Sequence, residues 1–185
     1  MKRGYCGIGI LATKNKHNTG TLWRSALGFD ADFVFTIFAR YRIKDPTDTV
    51  KSTRHIPLWH FDNFEDFKKS IPKGAKLIGV ELTDDAVLLE TFIHPQQAIY
   101  LIGPEDGYIP EEILKECDSI VKFNSAYGLN AAVSGSIVLY DRHQKHLVKH
   151  PEEILDQIMM IGPNELRTNS ENKNQETDNS ELLLP

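Results

Sequence analysis

With 185 residues, 41% of them hydrophobic and 25% charged, the chain has the make-up of one well-filled globular domain, and nothing in its composition requires a second. No apolar run reaches the ~18 residues of a membrane span, and Cys6 and Cys117 form neither a C-x-x-C pair nor a disulfide framework, which argues against a zinc ribbon and suits a reducing, cytoplasmic setting. The net charge of −5 is unevenly placed: residues 161–185 hold five acids and two bases, while no acid precedes Asp30 and Lys2, Arg3, Lys14, Lys16 and Arg24 are basic. A basic N-terminal side is compatible with phosphate contact, and equally with a solvated face.

Residues 5–12 read as a first buried strand. The start Met1-Lys2-Arg3 imitates a secretory signal, but the apolar stretch behind it is short, broken by glycine and followed by Thr13-Lys14-Asn15-Lys16. Gly7-Ile8-Gly9-Ile10-Leu11-Ala12 matches the dinucleotide pattern G-x-G-x-x-G/A, yet too few residues precede it for the strand that should end at its first glycine. A nicotinamide-dependent oxidoreductase is the reading this pattern would carry, and its context argues against it. A helix over 19–28 and a strand over 33–38 follow. The segment 43–57, with Pro, Asp and Thr, reads as a long loop, and with Lys44, Lys51 and Arg54 in it and Arg40 and Arg42 just before, it is a candidate for facing substrate.

Next come a helix over 62–70 capped by Asp62 or Asn63, strands over 76–82 and 98–102, a helix over 110–117 opened by Pro110, and a strand over 119–123. Helices over 129–146 and 151–160 complete the body, the last opened by Pro151-Glu152-Glu153. The alternation predicts an α/β fold, a mostly parallel sheet with helices on both faces, as one domain over residues 1–160. Residues 161–185, polar and nearly without apolar residues before Leu182, read as a disordered tail. His143, His146 and His150 have a spacing that zinc could use, but no further ligand completes the set, and a solvated helix end accounts for them. Trp23, Trp59 and Phe61 suit base stacking or core packing.

Three segments carry chemistry. In Asn18-Thr19-Gly20-Thr21-Leu22-Trp23-Arg24, glycine permits close backbone approach, and an arginine can hold a phosphate or favour a developing alkoxide. Gly103-Pro104-Glu105-Asp106-Gly107 follows an apolar strand as a tight turn, at the strand end where α/β proteins bind ligands. Leu129-Asn130-Ala131-Ala132-Val133-Ser134-Gly135 opens a helix with small residues that admit a backbone or a flat ligand.

In this order, across residues 4–146, the three segments resemble motifs one to three of the SpoU/TrmH family of RNA ribose methyltransferases, in the SPOUT superfamily. The resemblance implies a deep C-terminal trefoil knot, S-adenosylmethionine as cofactor, and a homodimer with its sites at the interface. It places Asn18, Arg24, Glu105 and Asn130 in the active site, and Leu82, Gly103, Gly107, Ile109, Ile120, Leu129 and Ala132 against the cofactor. No metal is implied. Many members carry serine immediately before the Leu-Asn of motif three, where this chain has Gly128; Ser125, Ser134 or Tyr127 are the available substitutes.

The reaction so implied is in-line attack of a ribose 2′-hydroxyl on the sulfonium methyl, with Arg24 favouring loss of the hydroxyl proton. The start of the chain close to its first strand leans towards tRNA over ribosomal RNA. The other reading is an RNA-binding protein on the same fold that has lost catalysis, with Gly128 as its mark.

Overall fold

The computed structural model describes residues 4–40 and 55–149. The chain divides into two units, Met1–Lys145 and His146–Pro185, and of the second only the last turn of one helix, residues 146–149, is described. The described residues run β1 (Tyr5–Leu11), α1 (Lys16–Gly28), β2 (Phe33–Ile37), β3 (Leu58–Phe61), α2 (Phe64–Ser70), β4 (Lys76–Val80), β5 (Val87–Leu88), a 3-10 turn (Leu89–Thr91), β6 (Gln97–Ile102), α3 (Glu111–Leu114), β7 (Ser119–Lys122) and α4 (Ala131–Lys149).

The seven strands among the described residues are all parallel, in the order β3-β2-β1-β6-β4-β7-β5. Both faces are covered, so the central strands are apolar on both sides. Ile8, Ile10, Ile78, Tyr100 and Ile102 pack on one face with Leu22 and Ala26 of α1 and Val138 and Leu139 of α4. Phe35, Leu77, Ile99 and Leu101 pack on the other with Phe64 and Phe67 of α2 and Ile113 of α3. The α/β fold expected from the alternation is the one observed, with an all-parallel sheet.

The glycines of the dinucleotide-like pattern lie inside β1, with their missing side chains turned to the α2 and α3 face. A Cβ on Gly9 would stand 2.3 Å from the Phe35 carbonyl oxygen, and one on Gly7 would stand 2.1 Å from the Phe33 ring. These glycines admit the phenyl rings of β2, and no turn around a pyrophosphate occurs there.

Several elements differ from expectation. α1 begins at Lys16, three residues early, because Asn15 caps it by accepting from the His17 N–H at 2.9 Å. β3 and β5 were not expected from the sequence. Asn63 is the cap of α2, accepting from the Asp66 N–H. α3 keeps only residues 111–114 of the expected 110–117. The helix expected over 151–160, the tail, and most of the 43–57 loop lie outside the described residues, as does His150; the ring of His143 lies 5.9 Å from that of Phe29. Trp23 is buried, its indole N–H donating to the Ile56 carbonyl, and Phe61 packs edge-on to Phe67, whereas Trp59 stays partly exposed beside Phe33.

Away from the strand ends that follow, a polar cluster fastens α4 to the segment before β6. His94, its side chain 5% exposed, pairs through Nδ1 with the Tyr100 hydroxyl (2.6 Å) and through Nε2 with Asp141 (2.7 Å). Arg142 donates to the Pro95 and Gln96 carbonyls, and Lys145 to those of Leu89 and Phe92 and to Asp141. Burial pushes the Cys6 thiol up to about 11 and raises the Tyr100 hydroxyl, so both stay protonated here.

Candidate active site

Because every strand runs the same way, the segments leaving β1, β4, β6 and β7 gather at one edge of the sheet, the edge where open parallel sheets hold their ligands. The chain turns sharply there. Ala12, just after β1, and Phe38, just after β2, both take the left-handed region, with φ of 48° and 54°, a conformation that costs a non-glycine residue about 1–2 kcal/mol. Ala12 is fixed in it by donating its N–H to Ile37 and accepting from Arg40 Nε, each at 2.7 Å.

At the centre of the edge lies the Glu105 carboxylate. Its Oε1 accepts from the Thr13 hydroxyl and the Asn18 side-chain amide, both at 2.7 Å, and its Oε2 from the Lys14 N–H at 3.1 Å. Burial pushes this carboxyl up, but the hydrogen bonds from Thr13, Asn18 and Lys14 outweigh it and hold the group below the usual carboxylate range. With its amide given to Glu105, the Asn18 Oδ1 accepts from Asn130 Nδ2 at 3.1 Å. Asn130 caps α4: its Oδ1 accepts from the N–H groups of Ala132 (2.9 Å) and Val133 (3.3 Å). One relay thus fixes the side-chain orientation of Glu105, Asn18 and Asn130, which come from all three motifs.

Arg24 does not join it. Six residues on from Asn18, it points about 120° away from it around the helix axis, and α1 turns the Asn18 side inward, where the Ser25 hydroxyl meets that of Ser136 on α4 at 2.7 Å. Arg24 is exposed.

Beside the relay is a cavity of about 450 Å3, lined by the segments after β4, β6 and β7. That size is within the range of small-molecule and cofactor sites. Of the expected cofactor residues, Leu82, Gly103, Gly107 and Leu129 line it. Ile109, Ile120 and Ala132 are not among its lining residues: Ile109 and Ala132 are buried one position along from the lining residues Tyr108 and Ala131, and Ile120 sits in β7 opposite Gly79. Gly128 lines the cavity, and a Cβ there would meet nothing within 4 Å, so the absent serine reflects no lack of room. Ser125, also in the lining, donates to the Tyr127 carbonyl (2.9 Å), and Ser134 lines it from the first turn of α4.

Sequence reasoning missed several residues here. Thr13 is fully buried as a donor to Glu105. Lys122 donates to the Thr83 and Asp84 carbonyls and fixes the segment after β4. Asp106 binds both Lys14 and Arg40, which hold its carboxyl far below the usual range, and so ties the motif two turn to the ends of β1 and β2. Glu81 follows β4 with a carboxylate in the lining, and an acid closing the apolar run 77–80 was the signal available.

The lining is chemically mixed. Leu82, Ile102, Phe123 and Leu129 offer apolar surface for a flat base, and of the three carboxylates Asp106 is already paired with Lys14 and Arg40. Among the described residues, no group of three or more His, Cys, Asp or Glu is placed to hold a metal ion, and no helix is long and apolar enough to cross a membrane.

Fold and cavity together define a parallel α/β protein with a cofactor-sized site at the C-terminal edge of its sheet. Residues 8–140 match the SpoU rRNA Methylase family, and the chain belongs to that family, RNA methyltransferases that use S-adenosylmethionine. Solved structures agree in fold. An AdoMet-bound rRNA methyltransferase from Sinorhizobium meliloti superposes with a TM-score of 0.67 at 21% identity, over 78% of this chain and 57% of that one. A structure concerned with 2-OH methylation of C/U34 on tRNA gives 0.69 at 19%, over 77% of this chain and 96% of that one. The TrmH/SpoU tRNA modifying enzyme of A. aeolicus gives 0.69 at 18%, over 78% and 77%. A search of the curated proteins finds no match to the sequence.

Proposed function

We propose that this chain methylates a ribose 2′-hydroxyl of tRNA, with S-adenosylmethionine as donor. The observation that carries the reading is the relay Glu105–Asn18–Asn130, closed across three motifs beside a cofactor-sized cavity. The structure matched over 96% of its own length is the one concerned with tRNA, which supports that substrate over ribosomal RNA.

Leu82, Gly103, Gly107 and Leu129 would hold the cofactor, which when bound supplies a methyl group already activated by cationic sulfur. The protein has two tasks, alignment and help with the proton. Alignment is the larger, since a fixed approach can supply about 7–11 kcal/mol. Glu105 serves it without taking a proton: its two oxygens are occupied by three donors, so it fixes Asn18, and through it Asn130 at the start of α4. Assistance with the proton falls to Arg24, whose cation favours the developing alkoxide. Since Arg24 is exposed and absent from the cavity lining, the same reading makes the active form a homodimer, in which Arg24 faces the site of a second copy. It also takes the segment from β4 to α4 to be threaded as a trefoil knot, in a cytoplasmic enzyme.

Labelled S-adenosylmethionine incubated with total RNA from cells lacking this protein tests the reading. Label is expected in a 2′-O-methylnucleoside of the tRNA fraction. Label in ribosomal RNA alone would overturn the choice of tRNA, and RNA binding without transfer would make the chain a non-catalytic binder. Arg24→Ala is expected to abolish transfer while cofactor binding persists; retained transfer removes Arg24 from the mechanism.

A further inference from the structure

Glu81 is a carboxylate that the relay does not use and that none of the three motifs contains. It stands at the C-terminal end of β4, partly buried, in the lining of the cavity. Its Oε1 accepts from the Leu82 N–H and its Oε2 from the Ile109 N–H, both at 2.9 Å. These two bonds fix the side chain between the segment leaving β4 and the one following the motif two turn. Gly103 is shaped to admit it, since a Cβ there would lie 2.7 Å from Oε2.

The three carboxylates of the lining differ in what they have left to give. A carboxylate offers about four acceptor positions. Glu105 receives three donors and Asp106 is bound to two cations. Glu81 receives one backbone N–H on each oxygen, which leaves acceptor capacity on both. Two adjacent acceptors of fixed orientation match a vicinal diol, and an acid near a strand end is a recurrent partner of nucleoside ribose hydroxyls in α/β proteins. We infer that Glu81 is the acceptor for the ribose 2′- and 3′-hydroxyls of the cofactor, and so a residue by which the site tells a ribonucleoside from its deoxy forms. The inference rests on the methyltransferase reading for its ligand.

The test is titration calorimetry with S-adenosylhomocysteine, its 2′-deoxy and 3′-deoxy forms, and 5′-methylthioadenosine, which keeps the ribose but lacks the amino acid. Wild-type protein should bind at least one deoxy form about tenfold or more weakly, the scale of a hydrogen bond to a charged group. Glu81→Gln should weaken S-adenosylhomocysteine and 5′-methylthioadenosine by similar factors, and should narrow the difference between ribose and deoxyribose ligands, as coupled partners do.

Equal weakening of ribose and deoxyribose ligands would reduce Glu81 to a support for the loops. Weakening confined to the ligand with an amino acid would assign it to the ammonium group instead. Either result, or an unchanged Glu81→Gln, overturns the inference. Equal binding of all forms by wild-type protein does so without any variant. Failure of wild-type protein to bind S-adenosylhomocysteine at all would strike the methyltransferase reading itself.

Discussion

Glu105 shows how much one side chain can organise. Its three donors come from Thr13, Lys14 and Asn18, which follow β1, the strand paired beside the β6 that delivers it. Replacement by glutamine keeps the shape but turns an amide NH2 towards groups that are themselves donors. Leaving such a donor unmatched costs about 1–3 kcal/mol, so Glu105→Gln is expected to lower kcat/KM for RNA by about ten- to a hundredfold, measured by methyl transfer at saturating cofactor. Much at this scale was legible in the sequence: Asn18, Glu105 and Asn130 stand in recognisable motifs and meet in space. Arg24 and Glu81 show where that legibility stops. Arg24 shares a motif with Asn18 but lies on another face of α1, a matter of helical phase once Asn15 had set the start of the helix. Glu81 belongs to no motif, and only the fold brings it within reach of Ile109 and Gly103.

Among the elements, the central strands announced themselves because both of their faces are apolar, whereas the edge strands did not. β3 holds His60 among its four residues and, among the described residues, pairs with β2 alone, Thr36 meeting His60 side chain to side chain at 2.7 Å. β5 is two residues long and is defined by its pairing with β7. The glycines of β1 carried a second, misleading pattern. Their role inside the strand predicts that Gly9→Ala will destabilise the protein by about 1–3 kcal/mol, the usual range for overpacking, seen as a lower urea midpoint with an unchanged slope. Binding of a nicotinamide dinucleotide is expected for neither form.

For the whole molecule, the order β3-β2-β1-β6-β4-β7-β5 could not be read from local pattern, since it records which distant strands pair. The His94 cluster is a product of that arrangement, joining the approach to β6 with α4. Burial lowers the His94 pKa despite the opposing hydrogen bond that its Nε2 donates to Asp141, and burial also lowers that of His60. In the folded protein both therefore bind protons less readily than in the unfolded chain, whose histidines titrate near 6.5. Stability is thus undiminished above that value and falls as the pH drops below it and on through the lower folded values. Urea midpoints at pH 7.5 and 5.5 are expected to show the loss, and His94→Gln to flatten the dependence; an unchanged dependence would remove His94 as its source.

β1 finds one of its two neighbours only in β6, whose last residue, Ile102, follows Leu11 at a distance of 91 positions in sequence. At a synthesis rate of roughly 5–20 residues per second, that interval is on the order of 5–20 s. Throughout it, β1 has one flank unpaired and open to chaperones or to misassociation. Glu105 and Asn130 are made later still, so a growing chain has no relay and no complete cavity until its fourth helix begins. A ligand of this cavity therefore finds its full lining only once Ser134 has been made.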